Sequence, residues 1–137
     1  MKINWKRILV AATLAELVGI AIYFPGRHQY ADPSSNFRHI FALCMIVSMF
    51  LAGLWVARKI ESGFILHGAL IGIAANVIYV VLAPLFVLST SPSPRFGRIL
   101  YFIVTTFIKM LPAVAGAYVG GRRRKKLLSA QASKSPS

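Results

Sequence analysis

Two charged side chains stand inside long apolar runs: Glu16 in "AATLAELVGIAIYF" (residues 11–24) and Lys109 in "ILYFIVTTFIKMLPAVAGAYV" (99–119). A charge at the centre of a membrane-spanning helix costs roughly 2.5 to 3.5 kcal/mol on insertion scales, so each needs a compensating partner or a role. Glu16 lies nine residues beyond Arg7, and Lys109 lies thirteen residues before Arg122. At a helical rise of about 1.5 Å per residue, these depths are about 14 Å and about 20 Å, a difference of about one turn. Opposite charge, similar depth and the lack of any other deep charge predict an intramembrane ion pair between Glu16 and Lys109. Such a pair can hold a bundle together, or it can mark a transport or proton path.

Other polar residues reach the same level. Asn76 is thirteen residues from Gly63, Ser48 is ten residues from Arg58, and Thr105 and Thr106 lie one turn from Lys109. A polar midplane layer is therefore expected, with a contribution from every helix. Small residues at helical spacing mark the faces that should turn inward: Ala12, Glu16 and Gly19; Gly68, Gly72 and Asn76; Lys109, Ala113, Gly116 and Gly120. Such faces let helices approach closely, and buried polar groups then bond across the interface. His67 falls about 100° around its helix from the Gly68 face and reads as interfacial rather than as a ligand.

The rest of the inventory excludes more than it suggests. Only three acids occur, Glu16, Asp32 and Glu61, which leaves no carboxylate–metal cluster, and no nucleophile–base pair is evident. No enzyme is expected. His28 and His39 flank Asp32 and could make at most a weak metal site; no His/Cys spacing suits zinc, and no metal or cofactor is expected. Cys44 has no intrachain partner, so there is no disulfide framework.

The elements that must carry these residues are four apolar runs, at about 8–24, 40–57, 64–88 and 99–119. Each is within or close to the roughly 17 to 25 residues that span a bilayer as a helix. A chain of 137 residues that is 57% hydrophobic, with a mean hydropathy of +0.67, carries more apolar surface than one soluble core can bury. "PGRHQYADPSSNFRH", "RKIES" and "STSPSPRFGR" separate the runs as loops, the second a tight hairpin. Pro84 and Pro112 predict kinks in the third and fourth helices.

Orientation follows the lysines and arginines. One side collects Lys2, Lys6, Arg7, Arg58, Lys59, Arg122, Arg123, Arg124, Lys125, Lys126 and Lys134, eleven in all, against Arg27, Arg38, Arg95 and Arg98, four, on the other. Both termini are thus expected in the cytoplasm, with Trp5 and Trp55 at the inner interface and Tyr23, Tyr30 and Tyr101 toward the outer one. "MKINWKR" followed by an apolar run also resembles a signal peptide. The length of the run, its glutamate and the lack of a nearby A-x-A site argue for a retained first helix.

The net charge of +13 sits between the spans and at the termini rather than in a stripe with interleaved aromatics, so no nucleic-acid binding is expected. "RRRKK", Arg122 to Lys126, anchors topology and would attract anionic lipid headgroups by about 1 kcal/mol per charge. Residues 129–137, "SAQASKSPS", read as a disordered cytoplasmic tail after a four-helix domain at 1–128.

"LAELVG" in the first span resembles the small multidrug resistance transporters, four-helix proteins whose first helix carries a glutamate that exchanges protons and cationic drugs. That resemblance implies the exchange role for Glu16. The chain departs from that family in its longer first loop, in its third helix and in Lys109, a buried cation beside the glutamate. Over most of its length, "MKINWKRILVAATLAE", "AGLWVARKIESGFILHGALIG" and "AGAYVGGRRRKK" resemble small uncharacterised bacterial four-helix integral membrane proteins. This implies a bacterial plasma membrane but no activity.

The expectation is therefore an all-α, four-helix transmembrane bundle, N-in/C-in, in the bacterial inner membrane. Its expected role is non-enzymatic, structural or partner-binding, with itself or another membrane protein as partner. A small transporter or channel subunit using Glu16 and Lys109 is the alternative.

Overall fold

The computed structural model describes residues 3–31, 36–86 and 95–132, which form four helices: α1 (Trp5–Ala31), α2 (Phe37–Ala57), α3 (Phe64–Phe86) and α4 (Arg95–Ala132). All four contain a stretch long and apolar enough to cross a membrane. Their packing is inverted relative to a water-soluble bundle. The buried positions are mostly small (Ala11, Ala12, Ala15, Ala52, Ala75, Ala113 and Ala117), whereas Leu14, Leu43, Leu51, Val81 and Leu111 are more than half exposed. Large apolar side chains on the outside suit a hydrocarbon solvent, and small ones inside let backbones close on one another.

The closest seams run along α4. A Cβ on Gly116 would stand 2.0 Å from the Phe50 carbonyl oxygen of α2, and one on Gly120 would stand 2.9 Å from the Ala57 Cβ. On its other side, α4 presents Val114 and Met110 to α3, where a Cβ on Gly68 or Gly72 would come within 2.6 Å and 2.5 Å of their Cα atoms. α1 packs against α2 and α3 but makes no Cα approach within 8 Å of α4 among the described residues. α1 and α4 therefore occupy opposite corners of the bundle.

α1, α2 and α4 are longer than their apolar runs, whereas α3 is described to Phe86, two residues short of its run. α1 continues through Pro25 and Gly26 to Ala31, into a segment whose composition predicts a loop. Packing explains the extension: Gly26 has no side chain, and the Phe37 ring lies where its Cβ would be. α3 likewise runs past Pro84, and α4 runs through Pro112. α4 also continues through Ser129–Ala132, residues that composition assigns to a disordered tail; residues 133–137 lie outside the described ones. The extension of α4 is held at its base, where Arg124 donates to the Ile60 carbonyl and the Lys125 ammonium lies 5.8 Å from the Phe64 ring centroid.

Candidate functional site

The paired charges come together. Lys109 Nζ donates to Glu16 Oε1 at 2.6 Å, across the diagonal between α4 and α1, with side-chain exposures of 12% and 2%. Each helix carries small residues one turn from its charge (Ala12 and Gly19 on α1; Ala113 on α4), with Ala15 buried beside Glu16, which leaves room for a long side chain to cross the interior. The Lys109 ammonium also lies 4.6 Å from the Tyr79 ring centroid, so α3 supplies its electron-rich face to the same cation.

The midplane layer divides into two parts. Asn76, fully buried on α3, donates through Nδ2 to the Phe102 carbonyl at 3.0 Å and to Thr106 Oγ1 at 2.6 Å. Its Oδ1 lies 3.3 Å from the Thr105 hydroxyl, which is also within reach of the Tyr101 carbonyl at 2.8 Å. Asn76, Thr105 and Thr106 therefore join α3 to α4. Ser48 does not take part: its hydroxyl donates to the Met45 carbonyl of its own helix at 2.9 Å.

Above the ion pair, toward the C-terminal end of α1 and the N-terminal ends of α2 and α4, the helices form a partly open cavity of about 370 Å³. Glu16 and Lys109 line its deep end together with Asn76 and Thr105. Its walls are mostly apolar and aromatic, including Ile20, Met45 and Phe41, with Tyr23 in edge contact with Phe41 at 5.9 Å; Arg38 also lines it. Tyr23, which its position in the sequence places at the lipid interface, is half-buried and faces this space. Gly19 also lines the cavity; a Cβ there would meet only the Met45 thioether, at 2.4 Å.

No protein-family model, curated protein or solved structure matches the chain. The reading of the site rests on its own geometry.

His67 corrects the sequence-based expectation. It is buried, 1% exposed, and forms part of a second polar centre at the end of the bundle that carries the termini. Its Nδ1 lies 2.9 Å from the Gly63 carbonyl, which can only accept, and its Nε2 lies 3.4 Å from the Asn4 backbone N–H, which can only donate. That arrangement suits the tautomer that carries its proton on Nδ1. Asn4 in turn caps α1, its Oδ1 accepting from the Arg7 N–H at 3.3 Å. Arg7 Nη1 donates to the Lys59 carbonyl at 3.0 Å, and Arg124 takes the neighbouring Ile60 carbonyl. Gly63, with φ of 71°, supplies the left-handed residue that turns the hairpin into α3. Nothing in "INWKR" or "RKIES" announces that these segments meet.

The basic run on α4 is split by function. Arg124 is half-buried on the hairpin, whereas Arg122, Arg123, Lys125 and Lys126 are exposed. Arg122, Arg123 and Lys126 surround a shallow hollow beside Tyr118 and Val119. Of the residues that could make a weak metal site, His39 is exposed at the start of α2, and Asp32 and the side chain of His28 lie outside the described residues.

Proposed function

We propose that this chain is a non-enzymatic binding protein of a bacterial plasma membrane, with both termini in the cytoplasm. On this reading the bundle takes the apolar part of a partner molecule from the bilayer into its cavity without transforming it. One observation carries the reading: a cavity of about 370 Å³, within the size range of ligand sites, ends at a buried pair of charges that neutralise each other. The eleven-to-four distribution of lysine and arginine supports the orientation, which places the cavity in the outer half of the membrane. The exposed basic hollow at Arg122, Arg123 and Lys126 then faces the cytoplasmic headgroups and favours anionic lipid.

Transport is the competing reading, since Glu16 lines the cavity. Beyond the ion pair the seams at Gly53, Gly68 and Gly116 close to backbone contact, which favours a blind pocket over a path. The test uses full-length protein in lipid nanodiscs. Native mass spectrometry is expected to find a retained apolar molecule that is lost in Ala42→Trp, a wall substitution that fills the space. No adduct in wild type, or ion flux in liposomes that disappears in Glu16→Gln, overturns the binding reading.

A further inference from the structure

Resting on that binding reading, we infer that the cavity selects an uncharged lipid alcohol, a long apolar chain ending in a hydroxyl, with the hydroxyl seated on the Glu16–Lys109 pair. Glu16 Oε1 is taken by Lys109, and its second carboxylate oxygen has no hydrogen-bond partner among the described residues. Every fully enclosed side-chain nitrogen and oxygen among those residues is partnered, so this second oxygen opens on the cavity that Glu16 lines. An ammonium has three donors. Lys109 directs one to Glu16 and lies over Tyr79, which leaves capacity toward the same space.

The floor thus presents an acceptor and a donor side by side, whose opposite charges offset each other, while Arg38 also lines the cavity. A carboxylate or ammonium headgroup would meet a like charge there as well as an opposite one, and would lose its hydration for no net attraction. A purely apolar end would leave the open carboxylate oxygen unsatisfied. A hydroxyl satisfies both groups at once: it accepts from Lys109 Nζ and donates to Glu16. Because Nζ contacts the same carboxylate, 2.6 Å from Oε1, its remaining donors and the second carboxylate oxygen lie close together. A hydroxyl carries donor and acceptor on a single oxygen, whereas an amide separates them on two atoms. The walls at Ile20, Phe41 and Met45 suit the chain that follows.

The probes are farnesol, its methyl ether, farnesoic acid and farnesylamine, titrated against full-length protein in nanodiscs and read by native mass spectrometry. Farnesol is expected to bind about tenfold more tightly than each of the other three, equivalent to ~1.4 kcal/mol. The preference should fall to about twofold in Glu16→Gln/Lys109→Met and persist in the charge-swapped Glu16→Lys/Lys109→Glu. Equal binding of farnesol and its ether, or tighter binding of the acid or amine, overturns the hydroxyl assignment while leaving the binding reading in place. Failure of all four to bind, with Ala42→Trp indistinguishable from wild type, overturns both. The head-group series is read on the wild-type chain, so its outcome does not depend on whether the variants fold.

Discussion

Gly53 of α2 lies so close to Ala113 of α4 that a Cβ on the glycine would stand 2.0 Å from the Ala113 carbonyl oxygen. The relation is reciprocal, because a Cβ on Gly116 of α4 would stand equally close to the Phe50 carbonyl of α2. Two glycines facing opposite ways thus bring the two backbones together, and α4 is held there as the common wall of the α2 and α3 seams. Where the glycines end, the helices separate enough to leave the cavity.

Gly53→Ala must therefore push backbone against backbone. Overpacking of this kind costs about 1 to 3 kcal/mol, and the upper end is expected because no flexible side chain can yield. Gly19→Ala meets only the mobile end of Met45 and should cost less than about 1 kcal/mol. Thermal unfolding of both variants in the same detergent checks the ordering. Equal losses would show that the α2–α4 seam has no special tightness.

Removal of one member of the ion pair leaves the other as a buried, uncompensated charge. Lys109→Met or Glu16→Gln alone is expected to destabilise the bundle by about 3 to 5 kcal/mol, and the double substitution to recover most of that loss. Charge reversal gives an independent check through accumulation in membranes. If Glu16→Lys/Lys109→Glu accumulates no better than Glu16→Lys, the pair contributes nothing to folding.

Asn76 and Thr106 are in direct hydrogen-bond contact between α3 and α4, whereas Ser48 bonds its own helix. A double-mutant cycle of Asn76→Ala and Thr106→Val should give a coupling between about 0.6 and about 1.7 kcal/mol, the average and the maximum measured for such bonds in a membrane protein. Ser48→Ala should change stability by less than about 0.5 kcal/mol. A Ser48→Ala loss as large as that of Asn76→Ala would contradict the division of the polar layer.

His67 ties the start of α1 to the hairpin across 63 residues of sequence. His67→Leu leaves the Asn4 N–H without its partner and should cost about 1 to 3 kcal/mol. Hydrogen exchange locates the effect. Amides from Asn4 to Ile8 are expected to exchange faster in the variant, although the substitution is on α3; unchanged protection there would remove His67 from the role of a staple.

The four helices and the ion pair were legible in the sequence because both follow from counting. A bilayer sets span length, and depth from the nearest basic edge places Glu16 and Lys109 within one turn of each other. The inward glycine faces on α3 and α4 were legible for a similar reason, since spacing four repeats on each. On α2 the small residues at spacing four are Gly53 and Ala57, a pair that the sequence reading did not single out and that the α4 backbone reveals. His67 was misplaced because the helical wheel locates it relative to one face, while the N-terminus of α1 covers the next face as well. Composition also stopped α1 before Pro25, whereas the helix continues through it to Gly26, where the Phe37 ring packs. The cavity could not be read at all: it is a difference in packing between the two halves of one bundle, and no single residue encodes it.

The diagonal pair also sets an order of events during synthesis. Glu16 leaves the ribosome 93 residues before Lys109. At 5 to 20 residues per second, that interval is roughly 5 to 20 seconds. Throughout it the first helix holds an acid whose counter-charge has not yet been made. A chain that stops before the fourth helix keeps that acid in lipid unanswered, so the completed ion pair doubles as a signature that the fourth helix has been made.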